Sequence, residues 1–110
     1  MGGKNVAIIK ETEPTRPIKV LLVDDDEDAR AFLAALIHQE QPNARIRMAQ
    51  DGQEALELFL EEPPHLMTLD LEMPRLNGLE VCMYLRGTKL ADHTTTMVYS
   101  AHSSRNRKTL

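Results

Sequence analysis

The sequence predicts an α/β protein with a doubly wound parallel sheet and helices on both faces. Short apolar segments rich in branched residues, typical of buried strands, alternate with longer segments whose apolar residues recur at helical spacing. This strand–helix alternation runs three times and is followed by one more strand. Alternation of this kind favours a parallel sheet, because each helix carries the chain back to begin the next strand in the same direction.

The composition limits the classes of function. A chain of 110 residues allows one domain with one core, and 42% hydrophobic residues is typical of a globular protein. The net charge of −4 argues against a nucleic-acid partner, and no apolar run is long enough to cross a membrane. The single cysteine, Cys82, excludes an internal disulfide framework, which favours a cytoplasmic setting.

A boundary is expected at Pro17. Pro14 and Pro17 favour extended backbone, so residues 1–17 are interpreted as an N-terminal leader or linker and residues 18–110 as the domain. Ile18 to Val23 is the first predicted strand. A helix follows, with Asp26 as its N-cap. Its predicted inward stripe comprises Ala29, Phe32, Leu33, Leu36 and Ile37.

The remaining elements follow the same logic. Further strands are predicted at 45–49, 66–69 and 96–100, and further helices at 53–60 and 79–86. Asp51 is the expected N-cap of the second helix. The third helix is expected to bury Leu79, Cys82 and Leu85.

Polar residues stand where the predicted strands end, which is where open α/β sheets bind ligands. They are Asp24 and Asp25 after the first strand, Asp70 after the third and Ser100 after the fourth. Converging carboxylates repel one another, and Mg²⁺, which binds carboxylate and phosphate oxygens, relieves that repulsion. An ionised aspartate is also a nucleophile. The pattern therefore favours metal-assisted phosphoryl transfer. Taken separately, the acidic residues after the first strand could simply begin a helix, and Asp70 could simply be a turn residue.

Four segments together resemble the response-regulator receiver family, also called CheY-like. They are VLLVDDDEDAR, AQDGQEALE, LDLEMPRLNGLE and YSAH, and the resemblance covers about Lys19 to Ser104. It implies a flavodoxin-like sheet of strand order 2-1-3-4-5. It also implies a partner, a sensor histidine kinase or phosphotransfer protein, that donates a phosphoryl group.

The resemblance assigns roles by position. Asp70 matches the phospho-acceptor, and Asp24 and Asp25 match the acidic pair, with Asp25 the more direct Mg²⁺ ligand. Glu72 would give its backbone carbonyl to the metal, and its side chain would tune the lifetime of the phosphoryl group. Ser100 matches the switch hydroxyl that bonds a phosphoryl oxygen.

The sequence departs from the family pattern at its end. The family continues through a fourth helix, a fifth strand ending in a lysine, and a last helix, whereas Leu110 falls inside the expected fourth helix. We therefore expect an incomplete fold, an exposed fourth strand and a homodimer through that edge. Val6 to Ile9, followed by Lys10, resembles the family's fifth strand, so Lys10 is a speculative substitute for the lysine that ends that strand. The alternative is that residues 1–17 are a loose leader and the apolar run is a coincidence.

Three functions remain possible. The first is a phospho-switch that signals through protein contacts and is not an enzyme, beyond assisting its own phosphorylation and dephosphorylation. The second is an interaction module whose switch is impaired by the missing lysine, strand and helix. The third is a phosphohydrolase of the haloacid-dehalogenase type, which Asp24 and Asp26 suggest. That family places Asp-x-Asp-x-Thr/Val after its first strand, and here Asp28-Ala29 stands where the Thr or Val is expected. A chain of 110 residues also leaves no room for a cap domain.

Overall fold

Four parallel strands form the centre of the molecule. The computed structural model describes residues 16–73 and 75–100. Within them the strands are β1 (Lys19–Val23), β2 (Arg45–Ala49), β3 (Leu66–Asp70) and β4 (Thr95–Tyr99). Their order in the sheet is β2-β1-β3-β4. The predicted fold class is confirmed, and so is the implied strand order as far as these residues extend.

Three helices connect the strands, and each begins at a side chain that caps it. They are α1 (Glu27–Glu40), α2 (Gly52–Glu61) and α3 (Gly78–Thr88). The carboxylates of Asp26 and Asp51 accept backbone N–H groups at the starts of α1 and α2, as predicted. Asn77 caps α3, where Glu80 completes a capping box.

The core lies on both faces of the sheet, because β1 and β3 are buried on both sides. On one face, α2 and α3 pack Phe59, Val81 and Leu85 against the strands. The face that α1 covers is smaller, with Val20 and Leu22 at its centre. No helix within residues 16–73 and 75–100 is long and apolar enough to cross a membrane.

Two expected inward faces differ from the prediction. In α1 no residue is fully buried; Leu33 and Ile37 contact the core, whereas Phe32 is 65% exposed and Leu36 is 43% exposed. The apolar stripe of α1 is therefore wider than the surface that the sheet offers to it. Ala29 is half-buried.

In α3 the prediction that Leu79 is buried was wrong, since it is 57% exposed. Val81 takes its place in the core beside Leu85, and Cys82 is half-buried. The reason is the close approach of Gly78 to β3: a Cβ on Gly78 would lie 2.4 Å from the Asp70 carbonyl oxygen. This contact fixes the rotation of α3 and turns Leu79 outward. The predicted leader, including Lys10, lies outside the described residues apart from Arg16 and Pro17.

Candidate functional site

Three carboxylates meet at the carboxyl edge of the sheet. Asp24 and Asp25 follow β1, and Asp70 is the last residue of β3, so the parallel neighbouring strands end side by side. One carboxylate oxygen from each residue lies within 4.8 Å of the other two. Asp24 and Asp70 are fully buried, and Asp25 is half-buried. The structure thus brings together the acidic residues that the sequence singled out.

Asp24 is held by donors at both of its carboxylate oxygens. Its Oδ1 accepts the backbone N–H of Asp26 at 2.8 Å, and its Oδ2 accepts a short hydrogen bond from the hydroxyl of Tyr99. Arg30 Nη1 also donates to the Asp24 carbonyl oxygen at 2.6 Å. The first two contacts explain how a fully buried carboxylate is tolerated, because each gives one of its oxygens a hydrogen-bond donor.

Tyr99 is the site residue that the sequence analysis missed. It ends β4 opposite Asp70 in the register of the two strands. Burial is the main cause that raises the pKa of Tyr99 far above its ordinary value of 10, and the hydrogen bond to Asp24 adds to it. Tyr99 therefore stays a protonated hydrogen-bond donor at neutral pH. Its place directly before Ser100 was the one signal in the sequence that pointed to it.

The backbone around Asp70 is equally constrained. The Glu72 N–H donates to Asp70 Oδ1 at 3.0 Å, and the Leu71 N–H donates to the Tyr99 carbonyl oxygen at 2.7 Å. The second bond extends the β3–β4 ladder past the end of β3. Together with Gly78, which packs against the Asp70 carbonyl, these contacts fix the start of the loop that follows β3.

The other predicted site residues lie at the margin of this cluster. Ser100 follows β4 directly and is exposed, and the side chain of Glu72 is exposed beside Asp70. Lys10 lies outside the described residues. The cluster itself offers only carboxylate oxygens, the donor type that Mg²⁺ takes from protein while keeping several waters. Its donor set therefore fits a hard divalent cation better than zinc, which prefers nitrogen and sulfur ligands.

The fold and this site define a class of protein: a doubly wound α/β domain with a cluster of three carboxylates at the carboxyl ends of its strands. Comparison with known families is more specific, since residues 20–109 match the family described as the response regulator receiver domain. The chain belongs to this family and is a receiver domain of a two-component response regulator. Receiver domains are signalling domains and are generally not classed as enzymes.

Individual relatives agree with this assignment. The chain is 40% identical over 88 residues to the response regulator MprA of Mycolicibacterium vanbaalenii, covering 80% of this chain and 36% of that protein. It is 38% identical over 87 residues to MprA of Mycobacterium tuberculosis, covering 79% of this chain and 36% of the relative. The chain thus spans about a third of the length of these curated relatives.

Solved structures show the same fold. The response regulator domain of Thermotoga maritima CheB superposes with a TM-score of 0.66 at 38% identity, covering 78% of this chain and 62% of that one. The chemotaxis response regulator CheY4 of Vibrio cholerae gives a TM-score of 0.68 at 24% identity, covering 76% and 68% of the two chains. At that identity CheY4 supports the fold alone.

Proposed function

We propose that this receiver domain accepts a phosphoryl group on Asp70, with Mg²⁺ held by Asp24, Asp25 and Asp70, and signals through protein contacts. The observation that carries the proposal is the convergence of three carboxylate oxygens within 4.8 Å at the end of β3. Membership of the receiver family supports the same chemistry. The partner that donates the phosphoryl group is a sensor histidine kinase or a phosphotransfer protein.

The chemistry asks little covalent work of the protein. An Asp70 carboxylate oxygen attacks the phosphorus of a phosphohistidine; a P–O bond forms, the P–N bond breaks, and the histidine nitrogen takes a proton. Bound Mg²⁺ supplies charge neutralisation for the phosphoryl oxygens. The residues of this chain do the positioning: the Glu72 N–H fixes one Asp70 oxygen, and the Gly78 contact fixes the backbone behind it.

Three further roles complete the proposal. The backbone carbonyl of Glu72 joins the metal ligands, while its exposed side chain tunes the lifetime of the phosphoryl group. The Ser100 hydroxyl bonds a phosphoryl oxygen and moves inward with the end of β4. Lys10 substitutes for the lysine that the family carries on its fifth strand; if Lys10→Ala leaves phosphorylation and its structural response unchanged, that last role is refuted.

The test is labelling by a small phosphodonor. Acetyl phosphate with Mg²⁺ is expected to add one phosphoryl group to the wild-type chain, detected by intact-mass spectrometry, and chelation of Mg²⁺ should abolish it. Asp70→Asn should not be labelled, because an amide is not a nucleophile of this kind. Asp92→Asn, which removes an exposed aspartate outside the cluster, is the matched control and should label normally. Absence of wild-type labelling would favour the alternative, an interaction module with an impaired switch.

The exposed edge of β4 supports a second part of the proposal, self-association. Within the described residues β4 pairs only with β3, and its Met97 and Val98 are 55% and 46% exposed on opposite faces. An unpaired strand edge of this kind is a template for another strand. We therefore propose a homodimer in which β4 of one copy contacts β4 of a second copy.

A further inference from the structure

We infer that the hydroxyl of Tyr99 competes with the divalent cation for Asp24, so that cation binding releases the Tyr99 side chain from the acidic cluster. The inference rests on the proposed cation site and adds a residue that controls its occupancy. Tyr99 is thus a positioning residue: it touches a metal ligand and not the reacting phosphoryl group.

The argument begins with the two oxygens of Asp24. Oδ1 accepts the N–H of Asp26, and Oδ2 accepts the hydroxyl of Tyr99. The Asp26 N–H cannot move away easily, because Asp26 is also the N-cap of α1 and accepts the N–H groups of Asp28 and Ala29. The phenol is attached through rotatable side-chain bonds. It is therefore the donor that Asp24 can lose without disturbing the start of a helix.

The second step is electrostatic. The Tyr99 hydroxyl, which donates to Oδ2, directs the positive end of its O–H dipole at the Asp24 carboxylate, the same group that offers an oxygen to the cluster. A divalent cation and this hydrogen repel each other in a buried setting, where water does not screen them. Since Asp24 is fully buried and belongs to the carboxylate cluster, a cation that binds all three carboxylates shares the Asp24 carboxylate with the Tyr99 hydroxyl. The phenol stabilises the cluster without metal, and the cation replaces it.

The third step connects this exchange to the predicted switch. Tyr99 is the last residue of β4, its carbonyl oxygen accepts the Leu71 N–H beside Asp70, and Ser100 follows it in the chain. Release of the ring removes the hydrogen bond that joins the last residue of β4 to Asp24, the residue that follows β1. Cation binding thereby removes one side-chain contact from the segment that carries Ser100 before any phosphoryl group arrives.

The first experiment measures Mg²⁺ affinity by calorimetry on the full chain, with MgCl₂ alone. Tyr99→Phe keeps the ring but removes the competing donor, and a hydrogen bond to a charged group is strong enough to change an affinity by about tenfold. We expect Tyr99→Phe to bind Mg²⁺ about tenfold more tightly than wild type. Tyr84→Phe, which alters an exposed tyrosine on α3, should leave the affinity unchanged. Equal or weaker binding by Tyr99→Phe would overturn the inference.

The second experiment does not depend on the folding of the Tyr99 variant. The chain has two tyrosines and no tryptophan, so Tyr84→Phe leaves Tyr99 as the one aromatic hydroxyl that absorbs in the near ultraviolet. A tyrosine that donates to a carboxylate absorbs at longer wavelength than one that does not. MgCl₂ should therefore shift the Tyr99 absorption band to shorter wavelength. The Mg²⁺ concentration at half of this shift should match the dissociation constant from calorimetry.

The two proposals fail in different ways. If Mg²⁺ binds but the Tyr99 band does not move, the inference is wrong and the cation site stands. If neither the wild type nor Tyr99→Phe binds Mg²⁺, the proposed cation site is wrong and the inference falls with it. If Tyr99→Phe binds Mg²⁺ and the wild type does not, the Tyr99 hydroxyl excludes the cation completely, which supports the inference.

Discussion

Arg75 and Asp51 join the loop after Asp70 to the N-terminus of α2: Arg75 Nη2 lies 2.9 Å from Asp51 Oδ2. The other Asp51 oxygen caps α2 by accepting the Glu54 N–H at 2.8 Å. Arg75 has a φ of 67°, an uncommon conformation for a residue other than glycine. The loop also lies so close to α2 that a Cβ on Gly52 would be 2.1 Å from the Leu76 carbonyl oxygen. The backbone near the proposed acceptor is therefore anchored to a neighbouring helix.

Asp51 should make stability depend on pH. The Glu54 N–H, and then Arg75, lower the pKa of Asp51 below its ordinary value of 3.8. A lowered folded-state pKa means that the ionised form is favoured by folding, so the contribution is present above the unfolded pKa and is lost as pH falls through the folded one. Asp51→Asn keeps a capping side chain but loses the charge. Urea unfolding should show this variant less stable than wild type at pH 7, with the difference shrinking below about pH 4.

Two companion variants separate the cap from the ion pair. Asp51→Ala removes both and should lower the free energy of unfolding by about 1 kcal/mol or somewhat more. Arg75→Ala removes only the ion pair, and because 64% of its side chain is exposed the loss should be about 0–1 kcal/mol. Equal stability of wild type and Asp51→Asn at pH 7 would contradict this account.

The features that could be predicted from the sequence are those fixed by local contacts. Asp26 and Asp51 cap helices through N–H groups two or three positions away, and strand ends follow from short apolar runs. The Tyr99 contact with Asp24 joins residues 75 positions apart and depends on how β4 lies against β1 and β3. No spacing rule reports such a contact. The rotation of α3 about its axis could likewise not be predicted from the sequence, because it is set by the approach of Gly78 to Asp70 and not by the helix's own apolar pattern.

Gly78 should be intolerant of a side chain. A Cβ there would meet backbone atoms of Asp70, which cannot move without displacing the proposed acceptor, so Gly78→Ala is expected to lower stability and weaken labelling of Asp70 by acetyl phosphate. Gly87 is the matched control: it lies in the same helix and a Cβ there has no contact within 4 Å. Gly87→Ala should raise the free energy of unfolding by up to about 1 kcal/mol, because alanine favours the helix. If the two variants behaved alike, the close approach of α3 to β3 would be refuted.

Thr68 offers a buried hydroxyl whose removal should stabilise the fold. It lies in the middle of β3, is 3% exposed, and its Oγ1 has no hydrogen-bond partner within residues 16–73 and 75–100. Thr68→Val keeps the shape and β-branching, so the free energy of unfolding should rise by about 1–2 kcal/mol through the relieved desolvation. Thr96→Val, at an exposed position of β4, should change it by less than about 0.5 kcal/mol. Destabilisation of Thr68→Val would show that the hydroxyl has a partner in the folded protein.

The edge of β4 leads to a prediction about oligomeric state. If copies associate through this edge, a lysine on it should oppose pairing, because two like charges would be brought together and desolvated in the dimer. Sedimentation velocity over a range of concentrations should show wild-type dimers and a shift of Val98→Lys toward monomer. Leu60→Lys adds the same charge at an exposed position of α2 and should leave association unchanged. A stable wild-type monomer at high concentration would refute the homodimer, and an equal effect of both lysines would show that net charge, not β4, controls association.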